Sequence, residues 1–284
     1  MFQTPRKLVG AFVLCAAIVS YGSAGEKLRY HMSKGATYKY ALARDSKTAA
    51  QMMGQEFKST SVGTMNISLT VEDLGKEGEL TCTATLDAAK FSVDSPQMKD
   101  TALVPTQFFG KRVRVTFSPL GKTQSIVPID SLPQLPPMSP LSGFNPTDLF
   151  QRILLELPDQ EVSVGDTWKV TRPDTVTRMT LKIVSKPNTE FKVVGTEKVG
   201  VYDCLKISIE GTSSQYGAGS MQGMEIVVDG TTKSKGFAYF APKEGVLVAV
   251  EQSSDTEMTT TGTGEQMFTQ TSTTNQKTTA SLVQ

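Results

Sequence analysis

The chain of 284 residues offers few side chains for catalysis. It contains one histidine, His31, so a Ser–His or Cys–His nucleophile pair, or a site with several histidine ligands, has at most one histidine to use. No nucleophile motif surrounds His31, which indicates a surface residue. Ser220 lies in a glycine-rich stretch, but Ala218 and Gln222 occupy the two positions where a nucleophile elbow needs glycine. We therefore expect a protein without enzyme activity.

Two short patterns imitate metal sites without completing them. The stretch that begins at Asp73 has the acid and glycine spacing of a calcium loop, but Ala84 stands at the twelfth position, where a bidentate carboxylate is required. Met52 and Met53 offer thioether sulfur, which favours Cu(I), yet adjacent residues of a strand point to opposite faces. We expect neither a metal nor any other cofactor.

The first 24 residues have the pattern of a secretory signal peptide. Arg6 and Lys7 precede an apolar run over 8–19, and small residues at 22–24 offer a cleavage site before Gly25. The run is too short to span a bilayer. The sequence predicts an exported chain, periplasmic or extracellular, whose mature part holds no stable transmembrane span.

The charge balance argues against nucleic acid as a partner. Residues 1–24 hold two basic residues and no acidic ones, so the 29 Lys and Arg against 28 Asp and Glu of the whole chain become 27 against 28 in the mature part. This balance indicates no basic surface for phosphates or anionic lipid. The mature part is also long enough to bury a core without disulfides.

Cys82 and Cys204 are the cysteines of the mature part, and in an oxidising compartment they could form one disulfide. Strand periodicity places Cys82 on the apolar face with Leu80, whereas Cys204 alternates with Leu205 and falls on the polar face. A bulge would reverse the second assignment. Two separate thiols are the default interpretation, and a disulfide is the alternative.

Alternation of apolar and polar residues with period two runs through most of the mature part, beginning with a strand over 27–32. Turn residues such as Pro119 to Gly121 and Asp229-Gly230 interrupt it. Antiparallel strands joined by short turns produce this pattern. The sequence predicts a mainly β protein, either one strongly curved antiparallel sheet or half-barrel, or two related β lobes.

One segment has helical periodicity. Asn145 as N-cap and Pro146 at the first helical position precede apolar residues at helical spacing up to Leu157, and Pro158 ends the pattern. The sequence predicts one α-helix at about 146–157 that covers the concave side of the sheet. Prolines exclude a central strand from the preceding stretch. We divide the mature part into an N-terminal β lobe (25–127), a Pro-rich linker (128–145), and a helix with a C-terminal β lobe (146–284).

A similar five-residue segment begins a strand on each side of the linker. Gly35-Ala36-Thr37-Tyr38-Lys39 resembles Gly165-Asp166-Thr167-Trp168-Lys169, a tight turn followed by an aromatic residue. The recurrence leaves both a duplication and a coincidence open.

Several sequence segments resemble those of an uncharacterised family of exported bacterial β-rich proteins. They are the Met/Gln/Gly-rich strand near Met52, the hairpin from Phe109 to Lys122, the helix followed by Leu157-Pro158, the opening at 165–168, and the turn at 242–245. The resemblance covers most of the mature part and implies a β-rich fold but no activity. A fainter likeness, at the level of the fold, is to periplasmic lipoprotein carriers of the Lol type.

Five aromatic or apolar residues are candidates for the wall of a ligand cavity: Tyr38, Tyr40, Phe150, Ile153 and Trp168. Anchoring the core is the other interpretation. We expect a non-enzymatic exported envelope protein that binds an apolar small molecule, a lipid or a lipidated partner in a curved-sheet cavity. The alternative is an interaction or structural module that pairs with another envelope protein through exposed β edges and has no cavity.

Overall fold

The computed structural model describes residues 25–133, 135, 144–178, 180–221, 223–264 and 267–283. The predicted signal peptide and much of the Pro-rich linker lie outside these ranges. Among the residues described, no helix has the length and apolar content that a membrane crossing needs.

The described residues form one antiparallel sheet of 13 strands, which confirms the prediction of a mainly β fold. A short 3-10 helix spans Thr106–Phe108 and one α-helix, α1, spans Pro146–Phe150. The strands are β1 (Thr37–Met52), β2 (Gln55–Leu74), β3 (Leu80–Asp94), β4 (Thr101–Leu103), β5 (Arg112–Phe117), β6 (Thr123–Pro128), β7 (Thr167–Val170), β8 (Asp174–Arg178), β9 (Leu181–Val199), β10 (Tyr202–Met221), β11 (Met224–Ala241), β12 (Val246–Thr263) and β13 (Phe268–Val283).

The sheet consists of two antiparallel meanders that lie side by side. The first strand of the N-terminal meander, β1, pairs with the last strand of the C-terminal meander, β13. Its order is β6-β5-β3-β2-β1-β13-β12-β11-β10-β9-β7, with β4 paired to β3 and β8 paired to β9. The junction is the antiparallel β1–β13 pair, which runs from Lys39↔Val283 to Met52↔Gln270. The sheet is open between β6 and β7. Residues 151–156 of the connecting chain contact both edges, since Gln151 O accepts from Thr123 Oγ1 of β6 and Glu156 O accepts from Trp168 Nε1 of β7.

The two meanders open with the same hydrogen-bonded turn. In the first, Gly35 N–H donates to Val71 O (2.8 Å), and Val71 N–H donates to Ala36 O (3.0 Å). In the second, Gly165 N–H donates to Val193 O (2.8 Å), and that valine donates to Asp166 O (3.0 Å). Both turn glycines have positive φ, 79° and 103°. The similar sequence segments at Gly35 and Gly165 therefore form the same local structure.

The hydrophobic core lies at one end of the sheet, called here the proximal end, where the β5–β6 and β11–β12 turns lie. The core residues occupy one face, the inner face, which includes Tyr40, Ile67, Val115 and Ile207, each at most 2% exposed. At the opposite, distal end the long strands continue beyond the core to the β1–β2, β10–β11 and β12–β13 turns. The proximal core thus anchors a sheet whose distal part is much less covered.

Residues 26–32 form a strap across the proximal end, not the strand that the periodicity predicts. Leu28, Tyr30 and Met32 are buried, as alternation requires. The backbone pairs with no single neighbour, however: Tyr30 N–H donates to Pro119 O (2.8 Å) and His31 N–H to Gly245 O (3.3 Å). Because these carbonyls belong to the β5–β6 and β11–β12 turns, the strap holds together two hairpins that have four strands of the sheet between them.

The side chain of Tyr30 connects the strap to two other elements. Its ring packs edge-to-face on Phe240, with centroids 5.2 Å apart. Its hydroxyl donates to Leu155 O (3.1 Å) and accepts from Leu155 N (3.0 Å). Burial raises the pKa of this phenol well above its ordinary value, so the hydroxyl stays protonated and keeps donating.

The helix starts as predicted but ends at Phe150, seven residues before the predicted end at Leu157. Asn145 Oδ1 accepts from Thr147 N (3.0 Å), which confirms the N-cap. The next turn does not form because its backbone groups have other partners. Gln151 O accepts from Thr123 Oγ1 (2.8 Å), and the Leu155 N–H that would bond it in a helix donates to Tyr30.

Candidate functional site

The inner face beyond the core is almost free of charge. Register places one charged residue, Arg44, on this face among the described residues of β9–β13, β1 and β2 distal to the core. The charged residues of these strands, such as Asp45, Lys233 and Glu257, alternate onto the outer face. Charge is therefore segregated by face over most of the sheet.

Two adjacent rows that consist mostly of small polar residues cross this part of the inner face. Each row is a set of cross-strand partners running over β2, β1, β13, β12, β11, β10 and β9. We call the two rows the hydroxyl belt. The first row is Ser61, Ser46, Gln276, Ser254, Ser234, Gly211 and Thr189, and the second is Ser59, Thr48, Thr274, Thr256, Thr232, Ser213 and Pro187. At about 4.8 Å per strand, the belt is roughly 30 Å wide.

Side-chain hydrogen bonds link neighbouring strands along the belt. Thr48 and Thr274 are joined at 3.0 Å between their hydroxyl oxygens, and Thr232 and Thr256 at 2.9 Å. A hydroxyl that donates to its neighbour still has acceptor lone pairs. The belt is therefore a neutral surface with hydrogen-bonding capacity to spare.

A cleft of about 290 Å³ lies where the belt reaches β9. Its β9 side consists of Pro187 and Thr189, which end the two rows, and Phe191. The remaining walls come from the chain after α1 and from the segment between β7 and β8; their apolar members are Leu154, Leu155, Val170 and Pro173. At roughly 30 Å³ per water-sized volume, the cleft has room for about ten non-hydrogen atoms.

Two ion pairs lie at the cleft and hold the connecting chain against the sheet edge. Arg152 pairs with Asp174, and Arg172 pairs with Glu156 at 3.5 Å. Arg172 also donates to Thr123 O at 3.3 Å, which ties the β7–β8 segment to β6. Each pair joins one cation and one anion, so the cleft combines apolar side chains with charges that are already paired.

A wider groove of about 440 Å³ lies elsewhere on β10–β13. Its side chains on the outer face include Phe237 together with Glu210, Lys235, Glu251 and Lys277. It is more open than the cleft and contains no residue of the belt. Four charged residues line each of the two sites, but those of the cleft are already paired with each other, which makes the cleft the better candidate site.

The predicted cavity residues lie in or against the proximal core. Phe150 is fully buried, and Tyr40 is 2% exposed with its hydroxyl donating to Leu247 O at 3.1 Å. Tyr38 and Ile153 are partly buried against the same core. Their role as ligand contacts stays a prediction.

Trp168 lies nearest to the cleft among the five predicted residues. Its indole stacks on Phe191, with ring centroids 5.2 Å apart, and its Nε1–H donates to Glu156 O at 3.0 Å. Phe191 and Glu156 both line the cleft. Trp168 therefore packs directly behind the cleft wall.

The sequence interpretation missed the hydroxyl belt, although a signal for it was present. In β12 the charged residues Glu251, Asp255 and Glu257 recur only at odd positions, while Gln252, Ser254 and Thr256 fill the even ones. Threonine-rich strands suit exposed sheet on either face, so composition alone did not identify the inner face. The pairing register in the structure assigns these residues to the inner face.

Cys82 and Cys204 are free, as the default interpretation predicted, and both are buried. The burial of Cys204 was not predicted, because strand periodicity places this residue on the polar face. Burial raises the pKa of the Cys82 thiol to about 12 and that of Cys204 to about 11. Because the thiolate is the reactive form, neither residue is poised for nucleophilic or redox chemistry.

This burial predicts that the folded protein is inert to thiol reagents. We expect residues 25–284 to release no thionitrobenzoate from Ellman's reagent at pH 8, and two equivalents after unfolding in guanidinium chloride. Cys82→Ser should lower the second value to one. Rapid release from the folded protein would contradict the burial of both thiols.

The chain matches no family model and no curated protein. The solved structures to which it is similar include lipovitellin, described for its lipid–protein interactions, at 13% identity and a TM-score of 0.48 over 89% of this chain. This chain spans 25% of the length of that lipovitellin chain. OccK5 (OpdH) of Pseudomonas aeruginosa matches at 5% identity and a TM-score of 0.28, over 90% of this chain and 100% of that one. The resemblances to an exported bacterial family and to Lol-type carriers stay predictions.

Proposed function

We propose that this chain is a non-enzymatic exported envelope protein that binds a non-ionic amphiphile, such as a lipid, on the inner face of its sheet. The apolar part of the ligand occupies the cleft, and its polar part lies along the hydroxyl belt. The observation that carries the proposal is their continuity, since Pro187 and Thr189 belong to both surfaces.

The chemistry of the two surfaces selects this class of ligand. Apolar walls favour an alkyl or ring group, because such a group leaves water on entering. The belt offers hydroxyl groups that both donate and accept, so it suits ether, ester, hydroxyl or amide groups. Along the belt the only charged side chain in an adjacent row is Arg44, among the described residues, so a strongly charged head group gains little there.

The single tryptophan makes the proposal measurable. The chain contains one tryptophan, and Trp168 stacks on Phe191 in the cleft wall. A heavy-atom quencher held in the cleft lies within a few ångströms of these rings. Its binding therefore lowers the intrinsic fluorescence directly.

The experiment titrates residues 25–284 with 10-bromo-1-decanol below its aggregation concentration. We expect saturable quenching of Trp168, and an affinity at least tenfold weaker in Val170→Phe, which fills the cleft. Val227→Phe is the matched control, because Val227 is 37% exposed on the outer face of β11. Quenching that does not saturate, or equal affinity in both variants, would overturn the proposal. Weaker affinity for 10-bromodecanoate would support the preference for a non-ionic head group.

The filled proximal core favours a second candidate function. Tyr40, Phe117, Phe150 and Phe240 are each at most 2% exposed, so the space beneath the strap is occupied by side chains. A packed core suits an interaction module that pairs with another envelope protein through its sheet edges. Mass spectrometry of lipids extracted from protein purified after export separates the two, since a stoichiometric ligand supports the first and an empty protein the second.

A further inference from the structure

The hydroxyl belt is much longer than the head group of a simple alcohol. It crosses seven strands from β9 to β2, whereas the cleft meets it only at Pro187 and Thr189 of β9. A single hydroxyl group at the mouth of the cleft reaches the first of these strands. The six strands beyond it contact no part of such a ligand, so the belt suits a head group that is long as well as neutral.

The belt offers a similar polar group at each strand. The second row supplies Ser213, Thr232, Thr256 and Thr274 on four successive strands, β10 to β13. All four residues are partly exposed. Neighbouring strands lie about 4.8 Å apart, which is close to the length of one sugar ring with its linkage. A sugar chain that runs across the strands therefore meets an equivalent hydroxyl group with each ring.

Glutamine side chains add amide groups in and beside the belt. Gln276 belongs to the first row, and Gln215 lies one row distal to Ser213. Gln215 Nε2 donates to Thr232 Oγ1 at 3.2 Å, and Gln276 Nε2 donates to Thr278 Oγ1 at 3.0 Å. An amide has two donors and an acceptor, so each side chain has more hydrogen-bonding groups than this one bond uses. Such groups match the adjacent hydroxyls of a sugar ring, which also donate and accept.

From these observations we propose that the ligand is a non-ionic glycoside with an apolar aglycone. Its alkyl group occupies the cleft, and its extended, neutral oligosaccharide follows the belt with about one sugar for each strand. The inference rests on the proposed function, because it takes the alkyl group to lie in the cleft. The two rows of the belt are two residues apart along each strand, about 7 Å, which is wide enough for one sugar ring with its hydroxyls.

The test measures how well alkyl glycosides displace 10-bromo-1-decanol from residues 25–284, read as recovery of Trp168 fluorescence. The series is decyl glucoside, decyl cellobioside and decyl cellotrioside, each below its aggregation concentration. We expect the affinity to rise about threefold with each added sugar, the effect of one net hydrogen bond. A decyl ether of hexaethylene glycol, whose chain oxygens only accept, should bind no more tightly than decyl glucoside.

Thr232→Val locates the sugars on the belt. Thr232 lies on β11, two strand spacings or about 10 Å from β9, where the third sugar is expected. The variant should cancel the gain from the third sugar and leave the affinity for decyl glucoside unchanged. Thr274→Val, four strands from β9, lies beyond the reach of three sugars and should change none of the affinities. Thr231→Val is the control on the outer face of β11, where this residue is exposed.

The outcomes separate this inference from the proposed function. Saturable quenching by 10-bromo-1-decanol with equal affinities for the three glycosides would overturn the inference and leave the proposed function intact. Absence of saturable quenching would overturn both. Equal affinities of the Thr232→Val and Thr231→Val proteins for decyl cellotrioside would show that the sugars do not follow the belt. A polyether that binds as tightly as decyl cellotrioside would replace the oligosaccharide with a different neutral chain.

Discussion

Tyr30→Ala is expected to destabilise the protein by about 3–5 kcal/mol, the range for removing a large buried side chain. Tyr30 is 2% exposed and contacts Phe240 through its ring and Leu155 through its hydroxyl. Its loss removes contacts among the strap, the β11–β12 hairpin and the connecting chain. The free energy of unfolding from urea titration of residues 25–284 measures the effect.

Tyr30→Phe separates the hydroxyl from the ring. It keeps the packing on Phe240 but leaves Leu155 N and O without their partner, so we expect a loss of about 1–2 kcal/mol. Tyr216→Ala serves as the control, because this residue is 55% exposed and should change stability by less than about 0.5 kcal/mol. A Tyr30→Ala protein as stable as the control would show that the strap does not hold the sheet together.

Gly121→Ala is expected to cost about 2–5 kcal/mol. Gly121 has φ of 79°, which costs an alanine about 1–2 kcal/mol. An added Cβ would also lie 2.4 Å from Leu155 O and 2.5 Å from a ring carbon of Tyr30. Relieving this overlap moves the backbone of the connecting chain, which adds about 1–3 kcal/mol.

Gly35→Ala is a closely matched control. Gly35 has the same φ of 79°, but nothing lies within 4 Å of an added Cβ. We expect it to lose only the conformational part, about 1–2 kcal/mol. The difference between the two variants, measured by denaturant unfolding, isolates the steric part. Equal losses would mean that Tyr30 does not pack against the β5–β6 turn as closely as described.

Much of the secondary structure was predictable because it depends on local signals. Period-two alternation identifies half-buried strands, and the Asn145-Pro146 pair identifies the start of α1. The prediction of a turn at Asp229-Gly230 was wrong, since both residues lie inside β11. Gly230 serves close packing there: an added Cβ would lie 2.8 Å from Glu257 O of β12.

The remaining features depend on contacts between residues that are distant in sequence. Leu154 and Leu157 are buried as helical spacing suggests, but hydrogen bonds from Thr123 and Tyr30 replace those of the helix. The strap has the alternation of a strand without a strand partner. Likewise the hydroxyl belt forms only when β13 lies between β1 and β12. No local sequence pattern indicates that β13 pairs with β1.

The β1–β13 pairing also determines the order in which the chain can fold during synthesis. β1 can pair with β2 as soon as both have been synthesised, but its other edge stays open until residues 268–283 arrive. An open edge is a template for pairing with other chains, so the interval before the last strand docks is the period of greatest aggregation risk. Closure of the longest-range contact then completes the sheet, which makes the late folding steps depend on synthesis of the final hairpin.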